Sequence, residues 1–230
     1  MHRFFVEPKE MAGHRFPLPE AIVHQVTRVL RVRDGAQLVL LDGLGEAVIC
    51  RLEHGECLVE SRGPAGGEAG HHLTIWQALL RGDHLEPVIR HGTEIGISGF
   101  RLLVTERCVV RDLSSARLQR LQVVAREAAE QSERGMVPPV DAPIPLADAL
   151  NAANAGSVLL FEREAGTRLS DVEPPPSLFI GPEGGFTTNE VAAAEQAGLT
   201  IAGLGPRILR SESVALAAAA VILSRTGDFA

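Results

Sequence analysis

Two stretches near the C-terminus decide the fold: Leu178-Phe179-Ile180-Gly181-Pro182-Glu183-Gly184-Gly185-Phe186 and Leu204-Gly205-Pro206-Arg207-Ile208-Leu209-Arg210-Ser211-Glu212-Ser213. Each begins with apolar residues typical of the end of a buried strand, breaks at Gly-Pro, and supplies charged residues just before a helical pattern. Open α/β sheets bind small ligands in such loops at the carboxyl ends of their strands, where glycine lets the backbone approach closely. We therefore predict that the two loops form one ligand site.

Missing motifs narrow what this site binds. Neither GxGxxG nor GxxxxGK[ST] occurs in the chain, and Lys9 is its only lysine. The common phosphate-cradling loops are therefore not indicated, and a nucleoside triphosphate is disfavoured. The alternative, that both stretches are ordinary strand-to-helix turns, stays open, but two such loops followed by acids favour a ligand site.

A linker divides the chain. Residues 63–70 read Gly-Pro-Ala-Gly-Gly-Glu-Ala-Gly, a composition typical of a flexible connection. Before it, a first strand, a helical pattern and three short strand-like runs indicate a small β-rich module. Beyond it, strands alternate with helices, which is typical of a parallel sheet covered on both faces. We therefore predict an α/β chain with one domain at residues 1–68 and a second at residues 71–230.

Apolar periodicity locates the individual elements. In the first module we expect a helix at residues 18–30 and strands at 37–41, 46–52 and 57–61. In the second we expect strands at residues 73–79, 101–105, 158–161, 178–180 and 199–204, and helices at 83–94, 114–132, 146–153, 187–197 and 213–225. Prolines between residues 138 and 145 should break the chain. The last helix is apolar all round and should be buried on all sides, inside one subunit or between two.

The two loops, in this order and at this spacing, resemble the ribosomal RNA small-subunit methyltransferase E family. The segments GPEGGF and LGPRILR carry the resemblance. It is supported by Met1–Val6, by Arg81-Gly82-Asp83 with Thr93–Gly96, and by Glu127–Ser132 with Arg134. The chain departs from the family pattern at Arg81 and His91, where lysine is usual, and at Glu133, where glycine is common. The resemblance thus runs from residue 1 to the final helix.

That family belongs to the SPOUT superfamily, and the resemblance implies a fold, a reaction and an oligomeric state. It implies a catalytic α/β domain with a trefoil knot and cofactor site at about residues 178–225, and a PUA-like RNA-binding domain at the N-terminus. It implies transfer of a methyl group from S-adenosylmethionine to N3 of a uridine in 16S ribosomal RNA of the small subunit. It also implies a homodimer formed through the knotted region.

The resemblance assigns roles to the loop residues. The predicted cofactor-binding residues are Phe179, Ile180, Gly181, Pro182, Glu183, Gly184, Gly185, Leu204, Gly205, Pro206, Ile208 and Leu209. Because N3 of neutral uridine bears a proton, the reaction needs a proton acceptor, for which Glu183 and Glu212 are the candidates. Arg207 or Arg210 would stabilise an anionic uracil oxygen. The alternative for each acid is capping or ion pairing at a helix start.

The charge balance bears on an RNA substrate. A net charge of −7 and a pI near 5.6 are the opposite of the usual nucleic-acid footprint, but arginine and lysine outnumber acids within residues 1–33. RNA binding depends on phosphate contacts, so a local basic surface is required. The predicted RNA-binding residues are Arg3, Arg15, His24, Arg28, Arg31 and Arg134.

The cysteines, the histidines and the apolar runs indicate the cellular compartment and whether a metal is bound. The three cysteines lack CxxC spacing, and the histidines fit no ligand set, so we predict reduced thiols and no metal. The longest apolar run, residues 214–223, is too short to span a bilayer, and no apolar signal region is apparent. We expect a cytoplasmic enzyme. Two alternatives stay open: a SPOUT enzyme acting on transfer RNA, at a base or a ribose 2′-hydroxyl, and a non-catalytic RNA-binding assembly factor.

Overall fold

The computed structural model describes residues 1–164 and 166–229, which form two compact units. The first comprises Met1–Glu68 together with Ala129–Val137, and the second comprises Ala69–Ala128 and the residues from Pro138 onward. The predicted second domain was continuous, so the assignment of residues 129–137 to the first unit is a correction. Its physical reason is apolar packing, because Ala129 and Val137 belong to a core cluster with Phe5.

The first unit is built on one five-stranded sheet. Its elements are β1 (His2–Phe5), β2 (Arg15–Pro17), the short helix α1 (Glu20–His24) continued by a π-helical turn (Gln25–Val29), β3 (Gln37–Leu41), β4 (Glu46–Glu53) and β5 (Glu56–Pro64). The strand order is β1-β3-β4-β5-β2, and apolar clusters cover both faces. Pattern reasoning missed β2, because three residues are too few to show alternation and only pairing with β5 makes them a strand.

One backbone conformation in this unit explains a departure noted in the sequence. Glu133 has a φ of 61°, in the left-handed region that glycine tolerates best. A glycine is therefore the natural residue at this position. The Glu133 carboxylate lies 3.1 Å from the Arg3 guanidinium, so the glutamate adds a surface ion pair that glycine could not make.

The second unit is a six-stranded, wholly parallel sheet with helices. Its strands are β6 (Thr74–Ala78), β7 (Gly99–Val104), β8 (Val140–Pro145), β9 (Val158–Leu160), β10 (Ser177–Ile180) and β11 (Thr200–Ala202). The helices of the rest of the chain are α2 (Leu85–Glu94), α3 (Ser115–Gln131), α4 (Leu146–Asn151), α5 (Thr188–Gln196) and α6 (Ser211–Arg225). The prediction of a parallel α/β sheet is confirmed.

The sheet order, β11-β9-β10-β6-β7-β8, creates a topological switch point. The chain runs outward from β6 through β7 to β8, and then β9, β10 and β11 fill the other side, so that β10 lies beside β6. The carboxyl ends of these parallel strands meet at one sheet edge, which is where open α/β sheets bind ligands. The segments that follow β6, β7, β9, β10 and β11 leave the sheet at that edge.

Strand β8 is the main element that the prediction missed. Its prolines were expected to break the chain, yet Val140–Pro145 pairs with β7. The strand lies at the edge of the sheet and has β7 as its single neighbour. An edge strand tolerates proline because half of its backbone groups need no ladder partner.

The two C-terminal helices test two local predictions. The capping box at the start of α5 is confirmed: Thr187 Oγ1 accepts a hydrogen bond from the Glu190 amide at 3.2 Å, and Glu190 Oε2 accepts one from the Thr187 amide at 2.8 Å. Helix α6 buries one face, including Ala215 and Ile222, whereas Val221 on another face is half-buried. The expected burial on all sides is therefore not reached within this single chain. No described helix is long and apolar enough to cross a membrane.

Candidate active site

A cavity of about 570 Å³ lies at the carboxyl edge of the second unit's sheet. It is lined by the first glycine loop (residues 181–186), by the second (residues 204–210), and by the starts of α2 and α6. The predicted cofactor residues in its wall are Ile180, Gly181, Pro182, Glu183, Gly184, Gly185, Leu204, Gly205, Ile208 and Leu209. The predicted catalytic residues Glu183, Arg207, Arg210 and Glu212 also line it. The structure thus brings the two loops together.

Two predicted cofactor residues do not line the cavity, Phe179 and Pro206. Successive side chains of a strand point to opposite faces of the sheet, and the buried Phe179 ring stacks on Trp76 with centroids 5.2 Å apart. The Phe179 ring therefore packs against Trp76 and does not form part of the cavity wall. Several wall residues were not predicted as site residues: Arg81, His84, Leu160, Phe161, Glu162, Phe186, Ser211 and Val214. The sequence did contain a signal for residues 160–162, because they stand at the end of an apolar strand, as the two glycine loops do.

The first glycine loop makes a tight turn, and at Gly185 its backbone has a conformation that glycine tolerates best. Gly185 has a φ of 66°, and a Cβ added there would lie 2.9 Å from Glu162 Oε1. A Cβ at Gly181 would come within 3.2 Å of the Phe186 ring. The Gly185 amide closes the turn by donating to the Pro182 carbonyl at 2.9 Å. The glycines therefore serve a tight turn that folds back on itself.

Arg107 supports this loop from the segment that follows β7. Its Nη1 donates to the carbonyl oxygen of Gly184 at 2.9 Å and to that of Phe186 at 3.3 Å. Glu106 Oε2 accepts a hydrogen bond from Thr187 Oγ1 at 3.3 Å, just beyond the loop. A guanidinium that holds two carbonyls fixes their spacing, so Arg107 determines the shape of one cavity wall.

A buried relay joins the first loop to the start of α6. Gln77 Nε2 donates to Ser211 Oγ at 3.0 Å, and Ser211 Oγ donates to the Gly181 carbonyl at 2.6 Å. Gln77 is fully buried near the end of β6, and its Oε1 has no hydrogen-bond partner among the described residues. Ser211 and Gly181 both line the cavity, so the relay connects the cavity wall to the buried end of β6.

Two acid–base contacts occupy the cavity rim. The Arg81 amide donates to Glu183 Oε1 at 3.0 Å, with Arg81 Nε 3.6 Å away. Burial raises the pKa of Glu183, but backbone amides and the Arg81 and His84 charges outweigh it, so its pKa lies below the ordinary value. The second contact joins His84 Nδ1 to Glu212 Oε1 at 3.4 Å. Both acids therefore have the pairing role that was the alternative to catalysis.

The second glycine loop is much less supported. Its base is anchored where the Gly203 amide donates to Thr167 and the Leu169 amide donates to Gly203, each at 2.9 Å. From residue 205 to 209 no hydrogen bond to the described chain is made, and Ile208 is 83% exposed. An exposed large apolar side chain at a cavity rim is available to cover a bound ligand.

The predicted RNA-binding residues all lie in the first unit, with different surroundings. Arg3 and Arg15 make surface ion pairs, whereas His24, Arg28 and Arg31 are exposed and make no ion pair with a described residue. For Arg134 the structure corrects the prediction of RNA binding. The Arg134 side chain is 3% exposed and lies 2.6 Å from a Glu68 carboxylate oxygen, so it is a buried structural residue and does not face solvent.

Comparison with known proteins matches the whole chain to one family. A family model described as an RNA methyltransferase domain covers residues 68–223. The chain is 33% identical, over 96% of its length and 77% of the relative's, to ribosomal RNA small subunit methyltransferase E of Synechocystis. It is 30% identical to the Bacillus subtilis protein of that name, over 98% of this chain and 97% of the other.

Solved structures extend this match to the fold. The crystal structure of ribosomal RNA small subunit methyltransferase E from Neisseria gonorrhoeae, bound to S-adenosylmethionine, has a TM-score of 0.89 and 32% identity over the full length of both chains. A Legionella pneumophila protein solved with the same cofactor has a TM-score of 0.83 and 26% identity over 97% of both chains. The chain belongs to the ribosomal RNA small subunit methyltransferase E family.

Proposed function

We propose that this protein transfers the methyl group of S-adenosylmethionine to N3 of a uridine in 16S ribosomal RNA of the small subunit. The observation that carries the proposal is the cavity between the two glycine loops, in a chain that aligns over its full length with a structure bound to that cofactor. The setting of this activity is the cytoplasm, where small ribosomal subunits are found.

The cavity fits an adenosine-sized group. Its volume of about 570 Å³ falls in the range of ordinary ligand pockets, and Ile180, Leu204 and Leu209 supply apolar surface for a base. A Cβ at Gly185 would meet the Glu162 carboxylate, so the loop keeps its close turn through glycine. When bound, the cofactor supplies an electrophilic methyl group. The chain's own task is to position that group against the acceptor, which is worth several kcal/mol.

The charged rim residues would act on the acceptor base. N3–H of uridine must lose its proton as the N–C bond forms, and Glu183 and Glu212 are the candidate acceptors. Arg207 and Arg210 are exposed members of the cavity wall, and either guanidinium would stabilise negative charge on a uracil oxygen. The lowered pKa of Glu183 makes it a weaker base than an ordinary glutamate carboxylate.

The first unit is the proposed PUA-like RNA-binding domain. His24, Arg28 and Arg31 are exposed and carry no ion pair to a described residue, so they are free to meet phosphate. Arg3 and Arg15 would have to exchange their glutamate partners for phosphate. Sequence-independent affinity of this kind weakens as salt rises.

A trefoil knot and a homodimer complete the proposal. Contacts of Gly203 with Thr167 and Leu169, and of Arg225 Nη1 with the Val172 carbonyl at 2.7 Å, bring the last segment against the loop after β9 and support the proposed knot. Half-buried apolar residues on α6, including Ala217 and Val221, would be covered by a second subunit. Sedimentation of the purified protein measures that state.

The function is tested by methyl transfer from labelled S-adenosylmethionine to 30S subunits, free 16S RNA and transfer RNA from cells that lack this protein. We expect 3-methyluridine at one 16S position. Label on transfer RNA or on a ribose would instead support a SPOUT enzyme with another acceptor. Cofactor binding without any label would support a non-catalytic assembly factor.

A further inference from the structure

The proposed reaction leaves one chemical task without an assigned group. N3 of uridine carries a proton that must go to an acceptor while N3 bonds to the methyl carbon. Of the three carboxylates in the cavity wall, those of Glu183 and Glu212 lie near its one imidazole, that of His84. The inference below rests on the proposed function, because it assigns the proton acceptor for that reaction.

Glu183 is poorly suited to accept the proton. Its Oε1 already accepts the Arg81 amide at 3.0 Å and lies 3.6 Å from Arg81 Nε. These contacts stabilise the carboxylate and keep the pKa of Glu183 low. Glu183 therefore remains charged and holds the Arg81 segment against the first loop.

His84 and Glu212 are arranged differently. His84 ends the segment between β6 and α2, and Glu212 lies in the first turn of α6, so two helix starts bring the pair together. His84 Nδ1 is 3.4 Å from Glu212 Oε1, and the imidazole is about half exposed at the cavity. No described residue hydrogen-bonds its Nε2. With Nδ1–H directed toward this carboxylate, a neutral imidazole carries its lone pair on Nε2.

We propose that His84 is a catalytic residue that takes the N3 proton through Nε2, and that Glu212 is its positioning residue. The proton passes from N3 to Nε2, the electron pair of N3 forms the new bond to the methyl carbon, and the pair of the breaking C–S bond stays on sulfur. The products are 3-methyluridine, S-adenosylhomocysteine and an imidazolium, which returns its proton to water. No further reactant is needed.

The charges around His84 suit this role. Glu212 faces it from α6, Glu183 faces it from the first loop, and Arg81 lies on its own segment, where the His84 amide donates to the Arg81 carbonyl at 3.4 Å. The Glu212 carboxylate is the charged group in contact with the imidazole. Glu212 thus acts through His84, as the acid does in a carboxylate–histidine pair.

The test uses the full chain with His84→Ala and, as its control, His91→Ala. His91 also lies on α2 and pairs with a carboxylate, Glu94 Oε2 at 2.9 Å, but it is outside the cavity. We expect His84→Ala to lower kcat on 30S subunits by about 100-fold, the usual scale of general base catalysis. Cofactor affinity should be unchanged, and added imidazole should restore part of the rate. His91→Ala should match the parent.

Two further readouts separate a chemical role from a structural one. The pH profile of kcat should differ between the parent protein and His84→Ala. Glu212→Gln should lower kcat less than His84→Ala does, and the double variant should be no slower than His84→Ala, because the two residues act as a unit.

The outcomes distinguish this inference from the function on which it rests. If the parent protein makes no 3-methyluridine, the proposed function fails. If the parent makes it and His84→Ala keeps the parent rate and pH profile, the proposed function stands and His84 is not the base. Loss of rate without rescue by imidazole, together with weakened cofactor binding, would also overturn the catalytic role of His84.

Discussion

The two glycine loops lie on one cavity but are supported in different ways. The first loop, residues 181–186, is held by Arg107 on its carbonyls, by Ser211 on Gly181, and by the Arg81 amide on Glu183. The second loop makes no hydrogen bond to the described chain between residues 205 and 209. The first loop is therefore held in shape by the chain itself, whereas the second has fewer contacts that fix its shape. Preorganisation of this kind saves ordering entropy on binding.

The difference follows from what flanks each loop. The first loop follows β10, which has neighbours on both sides in the sheet, and the segments after β6 and β7 reach over it. The second loop follows β11, which lies at the opposite edge of the sheet from β8 and pairs with β9. A loop that leaves an edge strand has fewer backbone groups within reach, so less of it is tied down.

The largest effect is expected from removal of the support of the first loop. Arg107→Ala deletes the hydrogen bonds to Gly184 and Phe186 and should weaken cofactor binding by about 10- to 100-fold, since charge-assisted hydrogen bonds are worth about 1.5–3 kcal/mol. Calorimetric titration with S-adenosylmethionine measures it. Arg111→Ala is the control, because Arg111 bonds the Thr105 and Glu106 carbonyls and not the loop. Equal affinities would mean that the loop holds its shape unaided.

A substitution in the second loop should weaken cofactor binding and leave the stability of the fold unchanged. Ile208→Ser should leave the free energy of unfolding within about 0.5 kcal/mol of the parent, because the side chain is 83% exposed. It should weaken cofactor binding about tenfold if the ligand buries that side chain. Val109→Ser, at a residue 70% exposed away from the cavity, is the control. A clear loss of stability in Ile208→Ser would show that the second loop is already packed.

A smaller effect tests the relay between the first loop and α6. Ser211→Ala removes the bridge from Gln77 to Gly181 and should lower the free energy of unfolding by about 1–2 kcal/mol, because it leaves buried polar groups without partners. Chemical denaturation measures it. Ser213→Ala, two residues along and exposed, should behave like the parent. Equal stabilities of the two variants would contradict the relay.

The smallest effect concerns pH. The folded-state pKa of Glu183 is below its ordinary value, so its contacts stabilise the fold above the unfolded pKa and lose that contribution as pH falls through the folded one. Glu183→Gln should therefore be slightly less stable than the parent at pH 7, with the difference vanishing in acid below the ordinary value of 4.5. Chemical denaturation at pH 7 and at an acid pH below 4.5 measures this difference in stability. A difference that persists in acid would assign the effect to packing.

Local sequence signals predicted elements that depend on local rules. Strands such as β3 and β10 are apolar runs, and the capping box at Thr187 specifies its own helix start, so both were found. Strand β8 was missed because its prolines disfavour a strand anywhere except at a sheet edge, and edge position is not a local property.

The residues of the site divide in the same way, into those that local signals predict and those that depend on contacts between distant residues. The glycine loops and their acids could be predicted from the sequence, because glycines and charged residues directly after a buried strand indicate a ligand site. Arg134 was predicted to face RNA, yet Glu68, sixty-six residues earlier, covers it. The pairing of His84 with Glu212 could not be foreseen either, since it depends on two helix starts meeting at the switch point of the sheet.

By itself the sequence determined the fold class, the family and the two loops that carry the site, because these depend on hydrophobic period, turn chemistry and motif. The tertiary structure alone decided which loop is held in place, which arginine is buried and which imidazole faces the cavity. Those properties arise from contacts between residues far apart in the chain, and their partners are set by sheet order.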